Sequence, residues 1–337
     1  MSASGTFNIY GFAVEIRSSS AAAFEGLAED FHYFRSGASN NACRLELIEA
    51  PPPYDSLPPL TGTVYTPRNV SFRDGELTYV DYSGRALAIH NRKSGDFRIF
   101  SRESELLYEA AYLYLLSQIS EFLDARRLHR IHALAMSVNG RAILVLLPMG
   151  GGKSTLGAQL LKYPGLGFLS DDSPFVDRHG RIHSFPLRLG LIPGNEADVP
   201  PGALRRINRM EFGPKLLVNH DYFAQRIRPS AEPGYVFLGR RSLSRGCEIR
   251  PARAVDAMRA MIANCVVGLG LFQGIEFVLQ RSAAEIAGKA AIAYSRFRNC
   301  LSLVRGSENY FLILGRDPGF NARTLYEFLS GQEGGDK

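Results

Sequence analysis

Between Leu144 and Thr155 the chain reads LVLLPMGGGKST. A phosphate chain is held by several inward-pointing backbone N–H groups and by the positive end of a helix dipole. Glycine at 150, 151 and 152 lets the backbone approach phosphate without a Cβ and adopt positive φ. Lys153 is placed to reach between the outer two phosphates, Ser154 offers a hydroxyl to Mg²⁺, and Thr155 continues the run. Gly152, Lys153 and Ser154 supply the second half of the pattern G-x-x-x-x-G-K-[ST], whereas the first-glycine position is Leu147. The turn must therefore be shaped differently, and Pro148 is the residue able to do it.

A second candidate lies one helix later, in GLGFLSDDSPFVDRHGRIHSF. A short apolar strand ends in Asp171-Asp172. Two carboxylates at a strand end beside a phosphate turn suit magnesium binding together with activation of an attacking hydroxyl. The competing use is structural, since Asp-Asp-Ser-Pro is also good turn chemistry.

These residues need a strand, a tight turn and a helix to position them, and the pattern provides all three. RIHALAMSV, Asn139-Gly140 and RAILVLL read as a hairpin. Its second strand runs into the glycines, and STLGAQLLK continues as a helix. Upstream, Leu106, Leu107, Ala110, Ala111, Tyr114, Leu115, Ile119 and Phe122 recur at helical spacing in a segment free of Gly and Pro from 102 to 128. Before Ser101 the period is that of strands: FNIYGFAVEI, ACRLELIEA, ELTYVDYS, RALAIHN and DFRIFS, with turns at Asp74-Gly75, Ser83-Gly84 and Ser94-Gly95. The expected organisation is a β-rich domain over 1–101, with a proline loop at 51–59, and a second domain over 102–331.

At 337 residues the chain is long enough for two cores, and 21% charged residues are ordinary for a globular protein. No apolar run is long enough to span a bilayer, and the first residues lack the basic and apolar stretches of a secretory signal. Cys43, Cys247, Cys265 and Cys300 show no paired spacing and read as free thiols. A cytoplasmic location is the expectation. Eleven Arg and Lys stand against four carboxylates between Pro201 and Arg253. They are Arg205, Arg206, Arg209, Lys215, Arg226, Arg228, Arg240, Arg241, Arg245, Arg250 and Arg253, opposed by Glu211, Asp221, Glu232 and Glu248. Without a nucleic-acid-binding motif beside it, this segment points to a surface or to an acidic or phosphorylated peptide, and neither nucleic acid nor membrane is an expected partner.

The order IHALAMSVNGRAILVLLPMGGGKSTLGAQLL…GLGFLSDDSPFVDRHGRIHSFPLRL resembles the HPr serine kinase family, in particular its shortened relatives. The likeness covers about 128–191 and extends more faintly through GPKLLV and GYVFLGRR to Arg253. It implies an α/β fold with a P-loop kinase core of the HPr kinase/phosphoenolpyruvate carboxykinase type, using ATP and Mg²⁺ to phosphorylate a serine hydroxyl. Some relatives act in natural-product pathways on a ribosomal peptide, which implies a peptide or protein acceptor; a homo-oligomer is compatible with that. By the same resemblance His132 would sit near the phosphates and Lys153 would bind them. Ser154 with Asp172 would hold the metal, and Asp171 would accept the hydroxyl proton. Lys215 and Arg188 are candidates to steady the transferred group. The Glu/Arg-rich signature of HPr kinases is missing, so reverse phosphorolysis is not implied. A nucleotide-binding regulator with little catalysis, and a nucleotide hydrolase serving a biosynthetic assembly, are the alternatives.

Overall fold

The computed structural model describes residues 3–37, 43–196, 198–209, 213–266 and 283–332. Glu211, counted in the basic segment, and part of the range expected for the second domain lie outside them. The chain divides into two compact units. Among the described residues, one takes the chain up to Leu123 with a short excursion starting at Asn208, and the other takes the rest.

The first unit is built on a nine-stranded mixed sheet. Val70–Asp74, Leu77–Asp81, Ala86–Asn91 and Phe97–Ser101 form the expected meander, antiparallel throughout. FNIYGFAVEI, expected as one strand, is instead a hairpin of Ala3–Ile9 and Phe12–Ser18. Tyr10 and Gly11 have φ of 51° and 92°, the double positive φ of a tight two-residue turn whose twist suits paired strands. Phe12–Ser18 then pairs in parallel with Cys43–Glu49. Parallel neighbours need a crossover, and the helix Ala21–Asp30, which the sequence pattern does not predict, lies in it.

The long helix Ser104–Ala125 falls within the expected 102–128 but belongs to the first unit through Leu123. Tyr114 stacks on Phe97 of the sheet, and Phe122 meets Phe12 edge-on. The boundary between units thus comes after this helix, whereas the sequence pattern puts it before, at 101. A change of period marks a change of element; it does not say which core the new element joins.

In the second unit three strands run parallel and adjacent: Arg141–Leu146, Ser230–Arg241 and Glu308–Leu314. Leu134–Val138 pairs with Arg141–Leu146 across Asn139-Gly140, whose φ values of 48° and 77° confirm the expected hairpin turn. Leu166–Ser170 adds on the far side of Leu134–Val138. Alternation sorts the side chains to two cores. Ile143, Val145 and Leu147 enter one that includes Leu156 and Leu160 of the helix Lys153–Leu160 and Leu325 and Leu329 of Pro318–Gln332. Ala142, Leu144 and Leu146 enter another with Ala257 and Met261 of Ala254–Met261 and Leu303 of Ala283–Arg305. Helices on both faces of a sheet make this a layered α/β unit. Among the described residues no helix is long and apolar enough to cross a membrane.

Candidate active site around the glycine turn

The strand Arg141–Leu146 delivers the chain into the turn, and Leu147 answers the missing glycine. Its side chain is buried at the end of the strand. A Cβ on Gly239, in the adjacent parallel strand, would collide with it. The bare position has moved from the turn to the neighbouring strand. Pro148 shapes the turn itself: its carbonyl accepts the Gly151 N–H at 3.0 Å. A Cβ on Gly151 would come within 2.9 Å of that same oxygen. Gly150 and Gly152 have φ of 74° and 95°, a region that costs any other residue strain. Gly152 caps the helix Lys153–Leu160 with no side-chain bond to its first amides. Those amides lack acceptors within the helix, so they present donors at its positive end.

Lys153 is only 6% exposed. Its ammonium donates to the Leu147 carbonyl at 2.6 Å and to His132 Nε2 at 2.9 Å. An ammonium can only donate, so His132 accepts at Nε2 and carries its proton on Nδ1. That nitrogen lies 3.0 Å from Asp172 Oδ1, at ion-pair distance but off the hydrogen-bonding direction. Burial pulls the Lys153 pKa below its ordinary value, against the pull of Asp172 and Asp171.

The two carboxylates, neighbours in sequence, have unlike surroundings. The turn after Leu166–Ser170 is closed by Ser170, whose hydroxyl accepts the Ser173 N–H at 3.0 Å. The turn-capping use open to the Asp pair therefore falls to a serine. Asp171 is buried. Its Oδ2 accepts from Ser154 Oγ at 2.8 Å and from the Gly190 N–H at 3.2 Å, while its Oδ1 is buried with no hydrogen-bond partner. Burial pushes its pKa up, with Asp172 adding to the rise and Lys215, Ser154 and Gly190 opposing it. Asp172 is open to solvent over 55% of its side chain. Desolvation raises its pKa, but His132, Lys153 and Lys215 outweigh this and hold it below the usual carboxylate range. The resemblance implies that Ser154 shares a metal with Asp172; its hydroxyl is bonded to Asp171 instead.

Lys215 reaches the pair through a small sheet. Leu189–Leu191 pairs with Gly213–Val218, setting Gly190 opposite Leu217. A Cβ on Gly190 would collide with the Lys215 side chain, so glycine there lets the lysine lie across the strand. The same residue offers Asp171 its amide. Arg188, partly buried, precedes this strand, two residues from that amide. Thr155 turns to the surface, where Asn195 Nδ2 donates to its hydroxyl at 3.1 Å.

One residue of the site stands out in the sequence only as part of a basic run. The Arg241 guanidinium lies 3.8 Å from where a Cβ on Gly152 would project. The signal is a cation pair at the end of an apolar strand, GYVFLGRR, but only the parallel pairing beside Arg141–Leu146 brings it to the glycines. Several other cations of the run are used locally. Arg250 pairs with Glu248, Arg253 with Asp256, and Arg226 donates to the Tyr163 carbonyl.

The fit to a nucleotide and Mg²⁺ can be tested on these atoms. Asp171 Oδ1 is a buried oxygen lacking a donor, next to a hydroxyl held by the same carboxylate. The turn has the bare backbone a phosphate needs, with Lys153 next in the chain and the Arg241 guanidinium beside Gly152, while Lys215 lies against Gly190 and adds positive charge near the two carboxylates. Among the described residues no group of three or more His, Cys, Asp or Glu forms a metal cage. A magnesium held by one hydroxyl, one carboxylate and phosphate oxygens needs none, so the residues fit. The chain matches no protein-family model and no curated protein sequence.

Proposed function

We propose that the chain is an ATP- and Mg²⁺-dependent phosphotransferase with a P-loop kinase core of the HPr kinase type, acting on a hydroxyl of a peptide or protein. The observation that carries this reading is the convergence at one turn of Lys153, His132, the bonded pair Ser154–Asp171 and the open carboxylate of Asp172. Mg·ATP, when bound, supplies the phosphoryl group and the charge neutralisation its transfer requires.

The chain's residues divide the work among them. The first amides of Lys153–Leu160 and the Lys153 ammonium bind phosphate oxygens. Ser154 Oγ and Asp171 would hold the metal, because Asp171 has a buried oxygen to offer and already orients the hydroxyl. Asp172 faces solvent, is ionised at neutral pH, and accepts the proton of the acceptor hydroxyl at its carboxylate. His132 Nε2 holds Lys153, and its Nδ1 faces Asp172 at ion-pair distance. Lys215 and Arg241 add positive charge where transfer spreads negative charge over three oxygens. These roles for the two aspartates are the reverse of those the family resemblance implies, because Asp171 already holds the Ser154 hydroxyl whereas the Asp172 side chain is open to solvent.

The test is mass spectrometry of serine-containing peptides and proteins incubated with the chain, ATP and Mg²⁺, beside the Lys153→Ala variant. A phosphoryl gain that needs Lys153 supports the proposal. Nucleotide binding without turnover would leave a regulator in its place, and no nucleotide binding would remove both.

A further inference from the structure

The second unit contains a buried polar array that the proposed chemistry does not use. His129 is fully buried, with Nδ1 2.7 Å from Asp124 Oδ1 and Nε2 2.8 Å from Ser295 Oγ. Acid, imidazole and hydroxyl in that order are the parts of a nucleophile relay. Two features rule that use out. Arg296 takes the other Asp124 oxygen at 2.5 Å, so the acid's charge is already shared. Ser295 also sits inside the helix Ala283–Arg305, where the amides are committed to helical bonds and cannot cradle an oxyanion.

Arg296 extends the array in the other direction. Its Nη1 donates to the Cys265 carbonyl at 3.2 Å. Cys265 belongs to a turn of π-helix, Ile262–Val266, the kind of irregular turn that recurs at functional sites. In the same turn the Asn264 carbonyl accepts the backbone N–H of His132 at 3.0 Å. His132 is thus supported twice. One support is the π turn, and the other is the chain running from His129, three residues earlier. One guanidinium grips both, through Cys265 and through Asp124.

We propose that Arg296 is a positioning residue for His132, fixing the imidazole between Lys153 and Asp172 by tying the π turn to the Asp124–His129 pair. Its bearing on turnover rests on the phosphotransferase proposal; its bearing on the imidazole does not. A planar guanidinium satisfies both acceptors at once, whereas a lysine ammonium is a point donor that keeps the charge for Asp124 without reproducing the fork.

The experiment compares the full-length wild type with Arg296→Lys, which retains the buried charge pair, and with Arg296→Met. Two quantities are read: the ¹⁵N and ¹H shifts of the His132 ring, with exposed His179 as internal control, and the conversion of Mg·ATP to ADP. In folded Arg296→Lys the His132 ring signals should move and those of His179 should not. Turnover should fall roughly tenfold or more at nearly unchanged KM for ATP, within the ~100-fold that about 1 Å of misplacement can cost. If Arg296→Met fails to fold, Arg296→Lys decides alone. Unmoved His132 signals in folded Arg296→Lys overturn the proposal. Moved signals in a chain that neither turns over ATP nor phosphorylates any of the serine-containing peptides and proteins, wild type included, uphold the positioning role and remove the phosphotransferase reading instead.

Discussion

The Leu147 side chain occupies the space that a Cβ on Gly239 would need, so a position usually bare in the turn is filled and its neighbour is bare instead. The two residues are coupled, and a double-mutant cycle should show it. Gly239→Ala overpacks a core and should cost about 1–3 kcal/mol. Leu147→Gly leaves a cavity and should cost about 2–5 kcal/mol. Together they should cost at least about 0.5 kcal/mol less than the sum, measured by chemical denaturation. Additive costs would mean that the pair does not share its space.

Asp171 Oδ1 is a buried oxygen with no donor on a carboxyl whose pKa burial raises. Holding such a group ionised opposes folding unless a cation meets it. Asp171→Asn should therefore melt higher than the wild type in the absence of nucleotide, by an amount on the order of 1 kcal/mol, as when a strained functional site is relieved. It should also lose the extra stability that Mg·ATP confers on the wild type. A variant that melts lower and still gains from Mg·ATP would contradict the metal-holding role.

Asp172→Asn changes an exposed side chain, so its stability in thermal melts should stay within about 0.5 kcal/mol of the wild type. Transfer should fall by roughly 100-fold or more, the size of a general-base contribution, with KM for ATP little changed. Steady-state kinetics on any accepted peptide separates the two constants. Unaltered kcat would return the base to another residue.

Arg241 is exposed, and its guanidinium stands beside Gly152. Arg241→Ala should raise KM for ATP roughly tenfold, the loss of one charge-assisted contact worth about 1.5 kcal/mol. Because the residue is open to solvent, added salt should weaken ATP binding more in the wild type than in the variant. Equal salt dependence in both would place Arg241 outside the site.

Asp124 sets an acid limit on stability. Burial pushes its pKa up, but His129 and Arg296 outweigh that and hold it below the ordinary carboxylate value. A depressed carboxyl stabilises the fold above its unfolded pKa, and that stability is lost as pH falls through its folded pKa. The loss should begin near about pH 4 and deepen below it. Asp124→Asn should be less stable at neutral pH by about 3 kcal/mol, through a guanidinium left unpaired, and should show a shallower decline on the acid side. Thermal melts from neutral pH down to about pH 3 report both. An unchanged acid slope would show that Asp124 is not among the groups that titrate with unfolding.

Sequence alone determined what is local. The Asn139-Gly140 turn, the apolar run into three glycines, the helix after them and the carboxylates at a strand end are each set by neighbours within a few residues. Local sterics and hydrogen bonding decide such features, so composition and period expose them. Even there one cue is easily missed, since Tyr10-Gly11 splits FNIYGFAVEI into two strands. Tertiary structure decided everything that depends on partners far along the chain. The parallel pairing of Arg141–Leu146 with Ser230–Arg241 brings Gly239 to Leu147 and Arg241 to Gly152. The pairing of Leu189–Leu191 with Gly213–Val218 lays Lys215 over Gly190 and beside Asp171. Which of two adjacent aspartates is sealed against Ser154 and which is left open depends on the alternation of side-chain direction at a strand end. The neighbours that fill the space on each side then fix the outcome. Period shows that a strand is buried, but it carries no record of the residue lying opposite.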